Sequence, residues 1–202
     1  MRLLATSCVR LAACAAFGLA LPRVAHAQGA AGGAYRPVSV WLGGGASTPI
    51  SDFKDLAKSG LTAQGAVQYR PDGKSLGVRG ELQVHKMDMT PELLSELGAT
   101  PGTTGTWSVL YGGVSAVLES MPKGRAFGWY LLAGGGSYRV EPSVEEAGVA
   151  VSSAKTQFGF NGGAGLRFKL GAVGLFVEGR YHTVKIEDSK VTLLPVSVGI
   201  VF

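Results

Sequence analysis

The sequence predicts an all-β chain folded as an eight-stranded antiparallel up-and-down β-barrel. Three observations carry this. Eight stretches alternate apolar and polar side chains with the two-residue period of a strand. The connections between them are short and long in turn. The 202-residue chain also holds 31 glycines, most inside those stretches and without a collagen-like repeat, which suits curved sheet and small inward side chains.

The chain opens on a segment that is not part of this pattern. Arg2 gives a positive start, Leu3 to Leu21 is mostly apolar but broken by Arg10, and Ala25-His26-Ala27 is a small-x-small cleavage site. Residues 1–27 therefore read as a signal peptide and residues 28–202 as one barrel domain. A membrane helix fits less well, because Arg10 divides a stretch that needs about 20 apolar residues to span. Leu11-Ala12-Ala13-Cys14 resembles a lipoprotein box and offers lipidation at Cys14 as the rival processing. Both cysteines, Cys8 and Cys14, fall in this segment. Cleavage after Ala27 leaves no disulfide, thiol nucleophile or cysteine metal site.

Charge excludes one class of partner. The net charge of +5 includes Arg2, Arg10 and Arg23, so the mature value is about +2. With no basic helix, zinc finger or basic aromatic stripe, nucleic-acid binding is not expected.

The expected strands are 38–46, 61–70, 76–85, 107–119, 125–136, 156–169, 173–183 and 191–202. In the second, Leu61, Ala63, Val67 and Tyr69 oppose Thr62, Gln64, Gln68 and Arg70. In the third, Val78, Leu82 and Val84 oppose Arg79, Glu81, Gln83 and His85. The fourth and fifth carry apolar residues on both faces. In the sixth, Phe158, Phe160, Ala164, Leu166 and Phe168 oppose Gln157, Asn161, Arg167 and Lys169. In the seventh, Leu175, Val177 and Tyr181 oppose Glu178, Arg180 and His182. The last places Leu194, Val196, Val198, Ile200 and Phe202 on one face.

Connections after strands two, four and six are tight: Pro71 to Ser75, Ser120 to Gly124, and a turn around Gly171. Those after strands one, three, five and seven are expected to be longer, at about 47–60, 86–106, 137–155 and 184–190. Thr90-Pro91-Glu92 marks a short helical turn in the second of these. Turns sorted to one end and loops to the other, with an even strand count, match a transmembrane barrel with periplasmic turns and exterior loops. Closure then follows, since an open sheet edge does not survive in hydrocarbon. Trp41, Tyr69, Trp107, Tyr111, Trp129 and Tyr181 are candidate anchors at the membrane interfaces.

The run Phe158-Gly159-Phe160-Asn161-Gly162-Gly163-Ala164-Gly165-Leu166-Arg167-Phe168 is followed by Gly174-Leu175-Phe176-Val177-Glu178-Gly179-Arg180-Tyr181-His182, and the last strand closes on Phe202. This resembles the small bacterial outer-membrane β-barrel family that includes the OmpA-like transmembrane domain and the opacity-type surface proteins. The resemblance is loose over the mature region and close over 156–202. It implies a Gram-negative outer-membrane location, contact with membrane lipid and lipopolysaccharide, and assembly by the outer-membrane insertion machinery, with Phe202 in the strand it reads. The soluble peptidoglycan-binding domain that follows the barrel in OmpA has no counterpart before Phe202.

An eight-stranded barrel has a lumen that side chains just fill. The expected filling is Arg79, Glu81, Gln83, His85, Asn161, Arg167, Glu178, Arg180 and His182, with the two glutamates paired to arginines because buried charges need partners. A narrow ion channel through the same residues is the alternative. His85 and His182 with Glu81 and Glu178 are donor types that zinc accepts, but they lie on non-adjacent strands. Packed histidines are the simpler reading, and no metal or cofactor is expected. Lipid A deacylases resemble the chain in carrying a late-strand histidine near a serine, yet His182 is followed by Thr183 and Val184, and Ser189 is off register. No nucleophile–base–acid set is visible, so a lipid A-modifying enzyme remains an alternative only. A soluble periplasmic barrel around an apolar ligand is another. The reading adopted is a monomeric structural or surface-interaction barrel, with loops 86–106 and 137–155 as the segments that could meet a surface partner.

Overall fold

A computed structural model of the protein describes residues 37–72, 74–100, 102–120, 126–146, 149–186 and 189–202. The expected signal segment, the lipidation candidate Cys14 and most of the turn after Ser120 lie outside these residues. The described strands are β1 (Val38–Pro49), β2 (Gly60–Tyr69), β3 (Leu76–Asp88), β4 (Thr104–Ser120), β5 (Phe127–Glu146), β6 (Val149–Ser152), β7 (Lys155–Leu170), β8 (Val173–Ile186) and β9 (Ser189–Val201).

Eight of these close a ring in the order β1-β2-β3-β4-β5-β7-β8-β9, with β9 returning to pair with β1, and every pairing is antiparallel. The short β6 folds back on the far end of β5 as a hairpin, Ser143 facing Ser152. One walk along paired residues shows the stagger. Ser39 leads to Gln68, Arg79, Ser115, Gly134, Asn161, His182 and Leu193, and then to Pro49. The walk ends ten residues above its start, 49 against 39. At ordinary strand spacing and rise, that stagger over eight strands tilts them by ~40°.

Alternation decides which side chains enter the ring. Along β3 the inward residues from Gly77 to Met87 are buried and every intervening residue is exposed. The outer surface is a belt of apolar side chains, among them Leu61, Val67, Leu82, Val114, Leu131, Phe158, Phe160, Val177 and Val198. Phe202, 48 % exposed, continues this face beyond the end of β9. Its backbone exchanges hydrogen bonds with Val40, Phe202 N to Val40 O at 2.9 Å and Val40 N to Phe202 O at 3.2 Å.

Tight turns follow β2 and β7, and Gly171 takes φ +63° in the second, a conformation that costs a residue without Cβ little. At the opposite end, Ser51–Asp55 forms a 3-10 turn and Pro91–Glu96 a short helix α1 capped by Thr90, whose hydroxyl accepts from Leu93 N.

Two connections differ from the sequence expectation. Strand β5 does not stop near residue 136 but runs to Glu146, and with β6 turns the expected loop 137–155 into a hairpin. Its inward positions Tyr138 and Val140 remain buried and carry the alternation onward, while the charges of Arg139 and Glu141 disguise it. The expected loop 184–190 is also mostly strand, since Ile186 pairs with Ser189.

Candidate functional site: a side-chain-filled lumen

Three layers of side chains fill the ring. At the loop end, Phe53, Ala57, Met87, Val109, Tyr111, Tyr138, Val140, Val184, Val191 and Leu193 form an apolar cluster, with Trp107 packed against it. The 3-10 segment supplies Phe53, whose ring meets Trp107 edge-on at 5.3 Å. Backbone and side-chain bonds tie this segment down. Lys58 N donates to Asp88 O, Thr90 N to Leu56 O, Thr90 Oγ1 to Asp55 O, and Trp107 Nε1 to Leu56 O. At the turn end, Trp41, Val117, Tyr130, Leu132, Phe176 and Val201 form a second cluster.

Charged groups occupy the space between. Glu178 on β8 is the hub. Its Oε1 accepts from Arg180 Nη2 at 2.8 Å and Nε at 3.1 Å. Its Oε2 accepts from Arg79 Nη1 at 2.7 Å and Tyr130 Oη at 2.9 Å. Four donors saturate a carboxylate. Arg180 also reaches Glu81, Nη1 to Oε1 at 2.6 Å, so one guanidinium joins β3 to β8 across the lumen. Ser115 Oγ donates to Glu81 at 2.7 Å, and Asn161 Nδ2 donates to Tyr111 Oη at 2.8 Å.

The remaining fork of Arg79, Nε and Nη2, donates to Gln68 Oε1 at 3.1 and 2.9 Å. Its guanidinium lies 4.0 Å from the centre of the Trp41 ring, a cation–π contact. Gln68 Nε2 passes the chain on to Glu119 at 3.1 Å. Arg167 Nη1 and Arg70 Nε approach the same carboxylate at 2.9 and 3.6 Å. Within the middle layer, two arginines meet two glutamates, with all four side chains at most 2 % exposed. Charges this deep are tolerated because each has an opposite partner and hydrogen bonds besides. Glycines make the room: a Cβ at Gly165 would collide with the Tyr130 ring that reaches Glu178.

The structure brings Arg79, Glu81, Asn161, Arg167, Glu178 and Arg180 into this network, with Arg167 half-buried at its turn-end rim. It places Gln83, His85 and His182 in the lumen nearer the loops. Sequence reasoning missed Gln68, Ser115, Glu119, Tyr130 and Tyr138 as members. Four of these lie on the strands with apolar residues on both faces. Their alternation becomes legible only once the register of β4 against β3, Arg79 beside Ser115, is known.

Three of the six candidate interface aromatics are corrected. Trp41 and Tyr111 are at most 1 % exposed inside the ring, and Trp107 points into the loop-end cluster. Each sits at an inward position, where an aromatic ring fills space or stacks on a cation. Tyr69, Trp129 and Tyr181 are on the outer face, 53 %, 43 % and 38 % exposed.

Among the described residues no group of three or more His, Cys, Asp or Glu is placed to hold a metal. Glu81 and Glu178 are consumed by arginines, and His182 Nδ1 by Tyr138 Oη at 2.8 Å. No catalytic constellation stands among the described residues.

The wall geometry recurs in solved structures. Neisserial surface protein A aligns with a TM-score of 0.59 at 17 % identity, covering 82 % of this chain and 96 % of that one. The attachment invasion locus protein Ail of Yersinia pestis aligns at 0.53 and 19 % identity, covering 82 % and 97 %. Ail in complex with the heparin analogue sucrose octasulfate aligns at 0.52 and 16 %, covering 83 % and 100 %. At such identities the likeness speaks to the fold. No curated protein sequence matches the chain significantly. The family model described as outer membrane protein beta-barrel domain matches residues 11–202. The chain thus belongs to the outer-membrane β-barrel family, and is a barrel of the bacterial outer membrane whose lumen is lined by polar residues.

Proposed function

We propose that the protein works as a plugged, monomeric barrel, anchored among lipopolysaccharide and presenting its loop end to the cell exterior. The observation that carries this is the saturated lumen: Glu178 with four donors, sealed between two apolar clusters. A continuous ion path would require these pairs to part. Planar-bilayer recording of the purified protein should show no steady conductance. Discrete, voltage-independent openings in the wild-type chain would replace the plug with a narrow channel.

Lipopolysaccharide is favoured by a like-charge pair. Lys185 on β8 and Lys190 on β9 are directly opposite and exposed at the loop end. Such pairs are destabilising by themselves, and a phosphate between them removes the repulsion. Below them, Phe158 and Phe160 meet edge-on at 5.2 Å on the outer face, a surface for acyl chains. Tyr69, Trp129 and Tyr181 serve as interface anchors in this reading. Residues 1–27 act as the cleaved export signal, and the last strand with Phe202 is what the insertion machinery reads. The double substitution Lys185→Ala/Lys190→Ala should lower the lipopolysaccharide that co-purifies with the barrel. An unchanged ratio would remove this pair as the anchor.

A further inference from the structure

The charges outside the lumen are shared unevenly between the two ends of the barrel. Counted by sequence from Arg36 onward, with Arg79, Glu81, Glu178 and Arg180 of the lumen set aside, the turn-end segments carry seven cations against two acids, Asp72 and Glu119. The loop-end segments carry seven cations against ten acids. Among the described residues the turn-end cations are Arg70 and Lys74 at the β2–β3 turn and Arg167 and Lys169 near the end of β7. The segment joining β4 to β5 adds Lys123 and Arg125 by sequence, and no acid. Glu119 is buried inside the rim and is shared by two guanidiniums, Arg167 Nη1 at 2.9 Å and Arg70 Nε at 3.6 Å. Lys74 and Lys169 are both exposed.

Position decides what kind of anion this rim meets. Lys169 lies between Phe168 and Leu170, Arg70 follows Tyr69, and Lys74 is two residues before Leu76. Those four neighbours are exposed and belong to the margin of the outer belt at this end. The Phe127 and Phe168 rings meet there at 5.4 Å. A soluble anion or an acidic polymer uses the charge and leaves this apolar margin idle. A phospholipid uses both. Its chains lie on the belt, and its phosphate reaches the level of the turns. Lysines at that level keep their stems on apolar surface and their ammoniums in water. Each cation close to an anionic lipid surface strengthens the attraction, which fades within a Debye length.

We propose that the turn end is a collar for anionic phospholipid, in which Lys74 and Lys169 meet head-group phosphates and Arg70 and Arg167 add positive charge behind them. This rests on the reading that turns the loop end outward, because the turns then meet the phospholipid leaflet of the outer membrane. The collar holds the barrel at a fixed height in that leaflet, while the acid-rich loops stand clear at the other end.

Spin-labelled lipid reads the preference directly. The barrel purified from outer membranes is placed in phosphatidylcholine vesicles with a trace of nitroxide-labelled phosphatidylglycerol or phosphatidylcholine, and the fraction immobilised at the protein is compared. Phosphatidylglycerol should be favoured about two- to fivefold. Salt at about 1 M, where the Debye length is ~3 Å, should bring the ratio toward one. Lys74→Gln/Lys169→Gln should lose about half of the preference or more, and Lys74→Arg/Lys169→Arg should keep it. Equal immobilisation of the two lipids would overturn the collar. So would a preference lost in Lys185→Gln/Lys190→Gln and kept in Lys74→Gln/Lys169→Gln. Binding to purified peptidoglycan that depends on the turn-end lysines, with no lipid preference, would give the cations to the cell wall and overturn it as well. Ala172→Cys on the β7–β8 turn tests the orientation separately, with a membrane-impermeant maleimide on intact cells and the wild-type chain as blank. Labelling only after the cells are permeabilised agrees with turns that face the periplasm. Labelling of intact cells would overturn the leaflet placement and leave the vesicle preference standing, so the two failures are distinct.

Discussion

The two faces of the wall solve different problems. On the outer face of β3, Val78, Leu82 and Val84 meet one uniform environment and are all apolar; on its inner face Arg79, Glu81, Gln83 and His85 are all polar. On β4 the inner face changes with height: Val109 and Tyr111 toward the loops, Ser115 in the middle, Val117 and Glu119 toward the turns. The outer face is set by a solvent that each strand meets independently. The inner face is set by pairing across the ring, where a residue's partner sits on a strand many positions away, as Arg79 and Glu178 do.

The largest effect expected from breaking the inner face is at Glu178. Glu178→Ala leaves two buried guanidiniums, Arg79 and Arg180, short of their shared counter-charge. Removing one partner of a buried pair costs about 3–5 kcal/mol. Urea unfolding of the barrel in lipid vesicles, followed by its heat-dependent gel migration, should show a loss of this size. Glu178→Gln keeps the shape and two of the acceptor sites and should lose less. Equal stability in wild type and Glu178→Ala would mean that the network fills space without holding the wall.

The outer face should respond to the opposite change. Val177 neighbours Glu178 in sequence but is exposed on the apolar belt. Val177→Arg puts a charge toward lipid, at a cost of about 2–4 kcal/mol near the bilayer midplane. The same measurement should show a fall in vesicles, smaller than that of Glu178→Ala. No fall in vesicles would contradict a lipid-facing Val177 and sharpen the case against this assignment of faces.

This contrast explains what was legible in the sequence. Strand number, closure and the outer belt follow from local alternation, because lipid asks the same of Val78, Val177 and Val198. The polar half of the lumen on β3 and β8 was legible for the same reason, as Glu81 and Arg180 interrupt apolar neighbours at the right period. Trp41, Trp107 and Tyr111 were not, since an aromatic ring suits either a membrane interface or the lumen, and only partners on distant segments decide: Arg79 for Trp41, and the loop-end cluster around Phe53 and Tyr138 for Trp107 and Tyr111. The extension of β5 was hidden because its outward face leaves the apolar belt at Arg139, so the residues change chemistry while the backbone continues as strand. Which buried hydroxyls and ring nitrogens lack partners in the protein, as at Thr62 and His85, is likewise recorded by no single strand.

Trp41 and Trp129 turn this ambiguity into a measurement. Trp41 stacks on Arg79 and is 1 % exposed, whereas Trp129 is 43 % exposed on the outer face. Trp41→Phe keeps a ring but weakens the cation–π contact and should cost about 1–2 kcal/mol. In single-tryptophan chains refolded into brominated-lipid vesicles, Trp129 fluorescence should be strongly quenched and Trp41 fluorescence largely spared. Quenching of both to the same degree would return Trp41 to the outer face.

The smallest effect belongs to the segment where the alternation was hardest to read. Arg139 on β5 donates to Glu141 at 3.2 Å, with side chains 56 % and 35 % exposed. Both are outward-facing charges near the loop end, and solvent screens them. An exposed pair of this kind contributes about 0–1 kcal/mol, so Arg139→Ala should leave urea unfolding nearly unchanged and insensitive to added salt. The inward neighbour Tyr138 is the control, since its hydroxyl bridges Phe160 O and His182 Nδ1. Tyr138→Phe removes both bonds at a cost of about 1–3 kcal/mol for the group left unpaired. A larger loss for Arg139→Ala than for Tyr138→Phe would mean that the β5 extension is held by its surface charges. The reverse order ties it to the same inward alternation that builds the rest of the wall.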